Sequence, residues 1–339
     1  MLQRNTLSKF VGVTILIFSL ILITYPRFNR QDLGSIRDLV GKQEGRPSMG
    51  DSPYYINYVE YFRGKLDIKE VPLPFCYRPA LPFIASYLPF KNPMTAINIL
   101  NLICLFLTLL FLFRLLEILG FNFWYALLGC YLFTISFPTF YYSTVGGLDP
   151  GLMFLLTLGT YLIYRESWSY LALTLAVGSL VKESVVLLIP VCLSFLWVKQ
   201  KRWKLKILFL LLAYLLPSFL IHSIFRSEGS YLWFPKIEYI LGNIRIRALL
   251  GLLLSFGLPG VLSLLFFYSF RKFKKLIPKE FYLPMIVGIL FSFLLALFSF
   301  LTAYLSGRFL WPMSIYSIPL SLWVIRFLFL EKIKLPQFS

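Results

Sequence analysis

Long apolar runs, interrupted only by short polar joints, decide what this chain can fold into. A bilayer core asks for about 20 apolar residues per helix. Ten runs approach that length, at approximately 8–25, 94–116, 121–142, 148–164, 168–181, 184–198, 205–225, 248–269, 281–305 and 309–329. The fifth and sixth are short and joined only by Lys182 and Glu183, the pattern of a tight hairpin that does not fully cross. The expected fold is an all-α membrane protein with about ten transmembrane helices, a single polytopic membrane domain over residues 1–339. Composition agrees, since 58% of the residues are hydrophobic and only 14% are charged, far from soluble globular usage. No internal repeat and no low-complexity tail is evident.

Lysine and arginine in short loops stay on the cytoplasmic side of a membrane. Lys199, Lys201, Arg202, Lys204 and Lys206 form one cluster, Arg271, Lys272, Lys274, Lys275 and Lys279 a second, and Arg326, Lys332 and Lys334 a third. Ten crossings put all three on the side of the N-terminus with its Arg4 and Lys9, so both termini are expected to be cytoplasmic. Acidic residues segregate the other way, leaving only Glu117, Glu166, Glu280 and Glu331 inside. The first run lacks a small-x-small cleavage site and ends at Tyr25-Pro26-Arg27, which favours a retained signal anchor over a cleaved signal. The expected location is a multi-pass position in a bacterial inner (plasma) membrane. A net charge of +18 would suit nucleic acid, but the basic residues sit beside apolar runs, where they set topology and meet anionic membrane lipid. No nucleic-acid partner is expected. Cys104, Cys130 and Cys192 lie inside apolar runs and Cys76 in a loop, which gives neither a disulfide framework nor a metal spacing.

Residues 26–92 form a long non-cytoplasmic loop in this topology. From Ser52, the positions Tyr54, Tyr55, Tyr58, Val59 and Phe62 recur at helical spacing behind Pro53, predicting an amphipathic helix lying in the membrane interface. A second helical piece is expected over 79–87. Ile237, Ile240, Leu241 and Ile244 suggest another flat helix within 226–247.

Eight ionisable residues then fall on one side: Asp51, Arg78, Asp149, Lys182, Glu183, His222, Arg226 and Arg308. Such groups at membrane helix ends are costly without water or partners. Asp51 suits a general base at an interface, or equally a helix cap before Pro53. Arg78 suits a phosphate bound through two parallel hydrogen bonds, or a headgroup reached by snorkelling. Asp149, behind Gly146 and Gly147, is aimed into the bundle or caps the next helix. Lys182 would attract a phosphate leaving group, unless the Lys182-Glu183 pair is a solvated hairpin tip. Arg308 completes a phosphate clamp or anchors its helix. His222 reads as a polar helix-end residue. With one histidine in the chain, no zinc site is expected, and no phosphate-binding glycine loop or nucleophile elbow is found.

Gly50-Asp51-Ser52-Pro53-Tyr54-Tyr55, Tyr77-Arg78-Pro79-Ala80-Leu81-Pro82 and the Lys182-Glu183 pair together resemble the GT-C superfamily of membrane glycosyltransferases, which includes protein O-mannosyltransferases and lipid A aminoarabinose transferases. The resemblance implies membrane-lying helices in the first outer loop, a carboxylate base there, and a polyprenyl-phosphate-linked sugar donor. The acceptor, whether glycan, lipid or protein, stays open. No Asp-x-Asp or Glu-x-Asp pair is present, so metal independence is expected and no cofactor is implied. The chain also stops soon after the last run, so no soluble C-terminal domain is expected. On this reading Asp51 is catalytic, while Arg78, Asp149, Lys182, Glu183, Arg308, Tyr54, Tyr55 and Tyr77 bind substrate. The competing readings are a transporter or flippase of a lipid-linked or anionic substrate, and a structural subunit whose outer charges are plain anchors. Carriers place charge near the midplane and often show related halves.

Overall fold

The computed structural model describes residues 2–29, 51–199, 203–225, 234–244, 246–302 and 306–330. All regular elements among them are helical. In chain order the α-helices are α1 (Leu2–Thr24), α2 (Ser52–Phe62), α3 (Ala80–Ser86), α4 (Pro93–Ile118), α5 (Phe123–Thr134), α6 (Phe137–Tyr142), α7 (Asp149–Tyr164) and α8 (Trp168–Ser179). They continue as α9 (Leu188–Val198), α10 (Trp203–Ile224), α11 (Ile237–Asn243), α12 (Ile246–Tyr268), α13 (Phe270–Leu276), α14 (Lys279–Thr302) and α15 (Met313–Leu330). Among the described residues, five stretches are long and apolar enough to cross a membrane: Leu7–Arg27, Pro93–Ile118, Trp203–Ile224, Ala248–Tyr268 and Lys279–Thr302. Phe123–Thr134, Glu183–Val198 and Met313–Leu328 are apolar but shorter.

Pro and Gly break two of the apolar runs internally. The third breaks after α5, where Ser136 is extended and Pro138 starts α6, because proline lacks the N–H an uninterrupted helix needs. Inside α12, Gly257 takes φ 55° and ψ −169° two residues before Pro259, a break that a Gly/Pro pair accounts for.

The core is built by α4 along α7, α12 along α15, α8 along α10 and α14 along α9. Gly178 lets the 3₁₀ turn Glu183–Leu187 fold back on α8, since a Cβ there would sit 2.7 Å from a Val185 methyl. The chain between α8 and α9 therefore turns back tightly, although α8 packs along α10 and α9 along α14 and the two do not lie along each other. In α2 the apolar residues Tyr55, Tyr58 and Val59 are buried. Their face packs on α3 and α4, so protein covers a surface that the amphipathic pattern assigned to the membrane interface. The apolar residues of α11 behave differently, with Ile237 74% and Leu241 65% exposed.

The bundle has two chemically distinct ends. At one, Lys199 pairs with Glu166 at 3.1 Å, Arg326 donates to the Gly120 carbonyl at 3.2 Å and Lys279 lies over the Trp197 ring. Those residues all belong to the set that the basic clusters placed together. The opposite end gathers the start of α2, the loop before α3, the start of α7, the 3₁₀ turn Glu183–Leu187 and the 3₁₀ turn Gly307–Leu310.

Candidate functional site

Five segments distant along the chain bring six ionisable side chains into one network. Asp51 Oδ2 lies 2.8 Å from Arg308 Nη2. Arg308 Nη1 is 3.9 Å from Asp149 Oδ2, and the other Asp149 oxygen pairs with Lys182 Nζ. Beside them, Arg78 Nη2 is 2.9 Å from Glu183 Oε2, while its Nε donates to both Glu183 oxygens at 3.1 Å. Three carboxylates, Asp51, Asp149 and Glu183, thus face three cations, Arg78, Lys182 and Arg308, and their formal charges cancel.

Local backbone explains this divergence. Lys182 is extended, with φ −164° and ψ 133°, and successive side chains of extended chain point to opposite sides. Lys182 therefore reaches Asp149 while its neighbour Glu183 reaches Arg78, and the two do not pair with each other. A bond from the Ala80 N–H to the Leu180 carbonyl (3.2 Å) ties the Arg78 loop to the end of α8. Tyr214 on α10 donates to the Glu183 carbonyl at 3.1 Å.

The capping alternatives fail on geometry. Asp51 sits at the N-cap position of α2 but makes no side-chain bond to the helix, because its carboxylate goes to Arg308. Asp149 is the first residue of α7, where the helix dipole favours an acid, and its oxygens go to Lys182 and Arg308. Arg78 is buried and does not snorkel. Its Nη1 donates to Tyr55 Oη at 2.7 Å. Burial works against the Arg78 charge, but the attraction of Tyr55 and Glu183 and the hydrogen bonds to both outweigh it, and its pKa lies above the ordinary arginine value. Burial likewise raises the Tyr55 phenol, which stays protonated. It also pushes the Cys76 thiol up to about 11, so Cys76 is no thiolate nucleophile.

Of the other expected site residues, Tyr54 stacks on Phe75 with centroids 4.5 Å apart and remains partly exposed. Tyr77 lies against His222, ring on ring at 3.7 Å, which pins the end of α10 to the loop before α3. His222 Nδ1 is 2.6 Å from the Ser218 carbonyl, the local contact of a helix-end residue. Arg226 lies outside the described residues. Among the described residues no three His, Cys, Asp or Glu side chains are grouped to hold a metal ion.

Sequence reading passed over the residues that hold the loop before Asp149. Gly146 adopts φ +80°, open to glycine but strained for other residues. Its N–H donates to Asn98 Oδ1 at 2.8 Å, and Asn101 Nδ2 donates to the Gly147 carbonyl at 2.8 Å. Asn98 Nδ2 reaches Asn29 at 2.8 Å, the Asn29 N–H reaches the Thr144 carbonyl at 3.2 Å, and Ser52 Oγ donates to the Val145 carbonyl. The Ser52 contact joins this loop to the residue after Asp51, so one buried scaffold sets both carboxylates that flank Arg308. Two asparagines three apart in an otherwise apolar run were the available signal. Arg27 was also missed: it is fully buried with its guanidinium 4.2 Å from the Tyr141 ring centre. The chain matches no protein-family model, no curated protein and no solved structure.

Proposed function

We propose that this protein is an integral-membrane glycosyltransferase of the GT-C type. It would cross the membrane about ten times with both termini cytoplasmic, and transfer a sugar from a polyprenyl-phosphate carrier to an acceptor on the outer face. The observation that carries the reading is the meeting of Asp51, Arg78, Asp149, Lys182, Glu183 and Arg308 at one end of an apolar helical bundle. Ionisable groups gathered at the ends of apolar helices are costly to keep without a task, which supports a functional role for this cluster.

The chemistry follows from those residue types. An acceptor hydroxyl or amine attacks the anomeric carbon from the face opposite the phosphate, and the bond from that carbon to the phosphate oxygen breaks. Asp51 takes the acceptor proton. The phosphate leaves on the prenyl chain, its growing charge stabilised by fixed cations in a low-dielectric setting. Inversion at the anomeric carbon results. Tyr54, exposed beside Asp51, is placed to pack on a sugar ring or prenyl chain.

One observation favours a carrier instead. The break in α12 lies beside the Arg308 turn, since a Cβ on Gly307 would press on Ser255 and Gly251, and broken helices line carrier sites. Against it, the ionic network gathers at helix starts and not at mid-helix. Covalent transfer separates the two. With a radiolabelled polyprenyl-phosphate sugar and purified protein at equal abundance, Asp51→Asn should abolish product formation. An unimpaired variant would remove Asp51 from the mechanism, and label moved across vesicles without product would favour the carrier.

A further inference from the structure

The three cations of the network are not equally available. Arg78 is 8% exposed, holds both oxygens of Glu183 and reaches Tyr55, so nearly all its donors are taken. Lys182, at 12% exposure, is bound to Asp149. Arg308 differs on each count. It makes one close contact, to Asp51, and one long contact, to Asp149 at 3.9 Å; its Nε is buried without a partner. Both members of the Asp51–Arg308 pair are partly open, at 22% and 23% exposure. A partly open guanidinium whose one close partner is a single solvent-reachable carboxylate is where an incoming phosphate would meet least resistance.

We infer that Arg308 is the seat of the donor's lipid-borne phosphate and that Asp51 occupies this seat until the donor displaces it. The inference rests on the transferase reading above and adds an order to it. Asp51 becomes a free proton acceptor only once phosphate has taken Arg308, so the donor binds before the acceptor can be activated. Arg78 then has a different task from the phosphate clamp suggested by its sequence context: it fixes Glu183, and through it the turn that carries Lys182.

Binding of farnesyl phosphate to the full chain in lipid nanodiscs tests this without needing the acceptor. Asp51→Asn removes the competing carboxylate, and binding should tighten by about tenfold. Arg308→Gln should weaken it by about tenfold or more. Glu60→Gln is the control, because it removes one negative charge on α2, where Glu60 pairs with Arg63 and Lys65 and not with any member of the network; its binding should stay within about twofold of wild type. A gain in Asp51→Asn that Glu60→Gln does not share reports local competition. If Asp51→Asn binds no more tightly than wild type, or if Glu60→Gln tightens as much, the assignment of the seat falls while the transferase reading stands. If no variant binds the prenyl phosphate, both fall. Thermal unfolding of each variant near the wild-type temperature separates lost binding from lost fold.

Discussion

Replacing Asp149 by asparagine should destabilise the protein more than replacing Lys182 by methionine, although both changes break the same ion pair. The pair is nearly closed to solvent, with side-chain exposures of 7% for Asp149 and 12% for Lys182. Removing one member of a buried pair costs about 3–5 kcal/mol, since the other charge loses its compensation. Neutralising the leftover group limits that loss. At about 1.36 kcal/mol per pKa unit, an ordinary carboxylate or lysine brought to neutrality at pH 7 sets a ceiling of roughly 4–5 kcal/mol. Surroundings then separate the variants. Without Lys182, Asp149 keeps Arg308 Nη1 at 3.9 Å, so the loss should be near the lower end, about 3 kcal/mol. Without Asp149, Lys182 is left with the repulsion of Arg308 and Arg78, which places the loss near the ceiling of about 4–5 kcal/mol. The double variant removes both charges and should be more stable than Asp149→Asn alone. Thermal unfolding in detergent micelles, followed by tryptophan fluorescence, ranks the four proteins. Strict additivity in the double variant would refute the pairing. A Lys182→Met loss equal to or above that of Asp149→Asn would refute the part given to Arg308.

Asn98→Leu strands the buried Gly146 N–H and the half-buried Asn29 side-chain oxygen, and should cost about 2–4 kcal/mol, since a fully buried unsatisfied group costs about 1–3 kcal/mol and a half-buried one less. Asn101→Leu strands only the Gly147 carbonyl and should cost about 1–3 kcal/mol, so its unfolding temperature should lie above that of Asn98→Leu. Orientation is open to a thiol-labelling test, because all four native cysteines are buried and give little background. Cysteine at Lys65, 59% exposed at the site end, should react with an impermeant reagent from the outer face, and cysteine at Arg114, 58% exposed at the far end, only after permeabilisation. Labelling of Lys65→Cys from the cytoplasmic face alone would invert the proposed topology.

The helices were legible where hydrophobicity sets them, and so were the ionic residues, because a charge beside an apolar run is conspicuous. Ser52–Phe62 and the turn at Lys182-Glu183 appear where periodicity and spacing put them. The partners were not legible. Asp51 and Arg308 are separated by most of the chain, and no local pattern says that they meet, whereas Asp51-Ser52-Pro53 does look locally like a cap. Breaks inside apolar runs were hidden for a related reason: Pro138 and Gly257 interrupt helices without changing the mean hydropathy that defined the runs. Asn98 and Asn101 stood in plain view, but polar residues in an apolar helix gain meaning only from the loop they hold.

A neutral cluster suits a reaction that relocates negative charge without creating it. In the proposed transfer the donor arrives as a phosphodiester carrying one negative charge and leaves as a monoester able to carry two. Asp51 gains the acceptor proton over the same step, so the total charge of site and substrates is unchanged. Creating net charge in a low-dielectric site is costly; moving it a few ångströms beside a fixed cation costs far less. Arg308 is the group suited to both ends of that movement, holding Asp51 at 2.8 Å before the donor binds and the phosphate in its place afterwards. The planar fork of arginine can hold two oxygens of one phosphate at once, whereas a lysine ammonium acts as a single point charge on a flexible stem. Arg308→Lys should therefore preserve the unfolding temperature within about 1 kcal/mol of stability yet lose most of the sugar transfer, about a hundredfold if roughly 2.7 kcal/mol of transition-state stabilisation goes with it. Transfer within threefold of wild type would mean that charge alone suffices at this position, and that a two-point grip on the phosphate adds nothing.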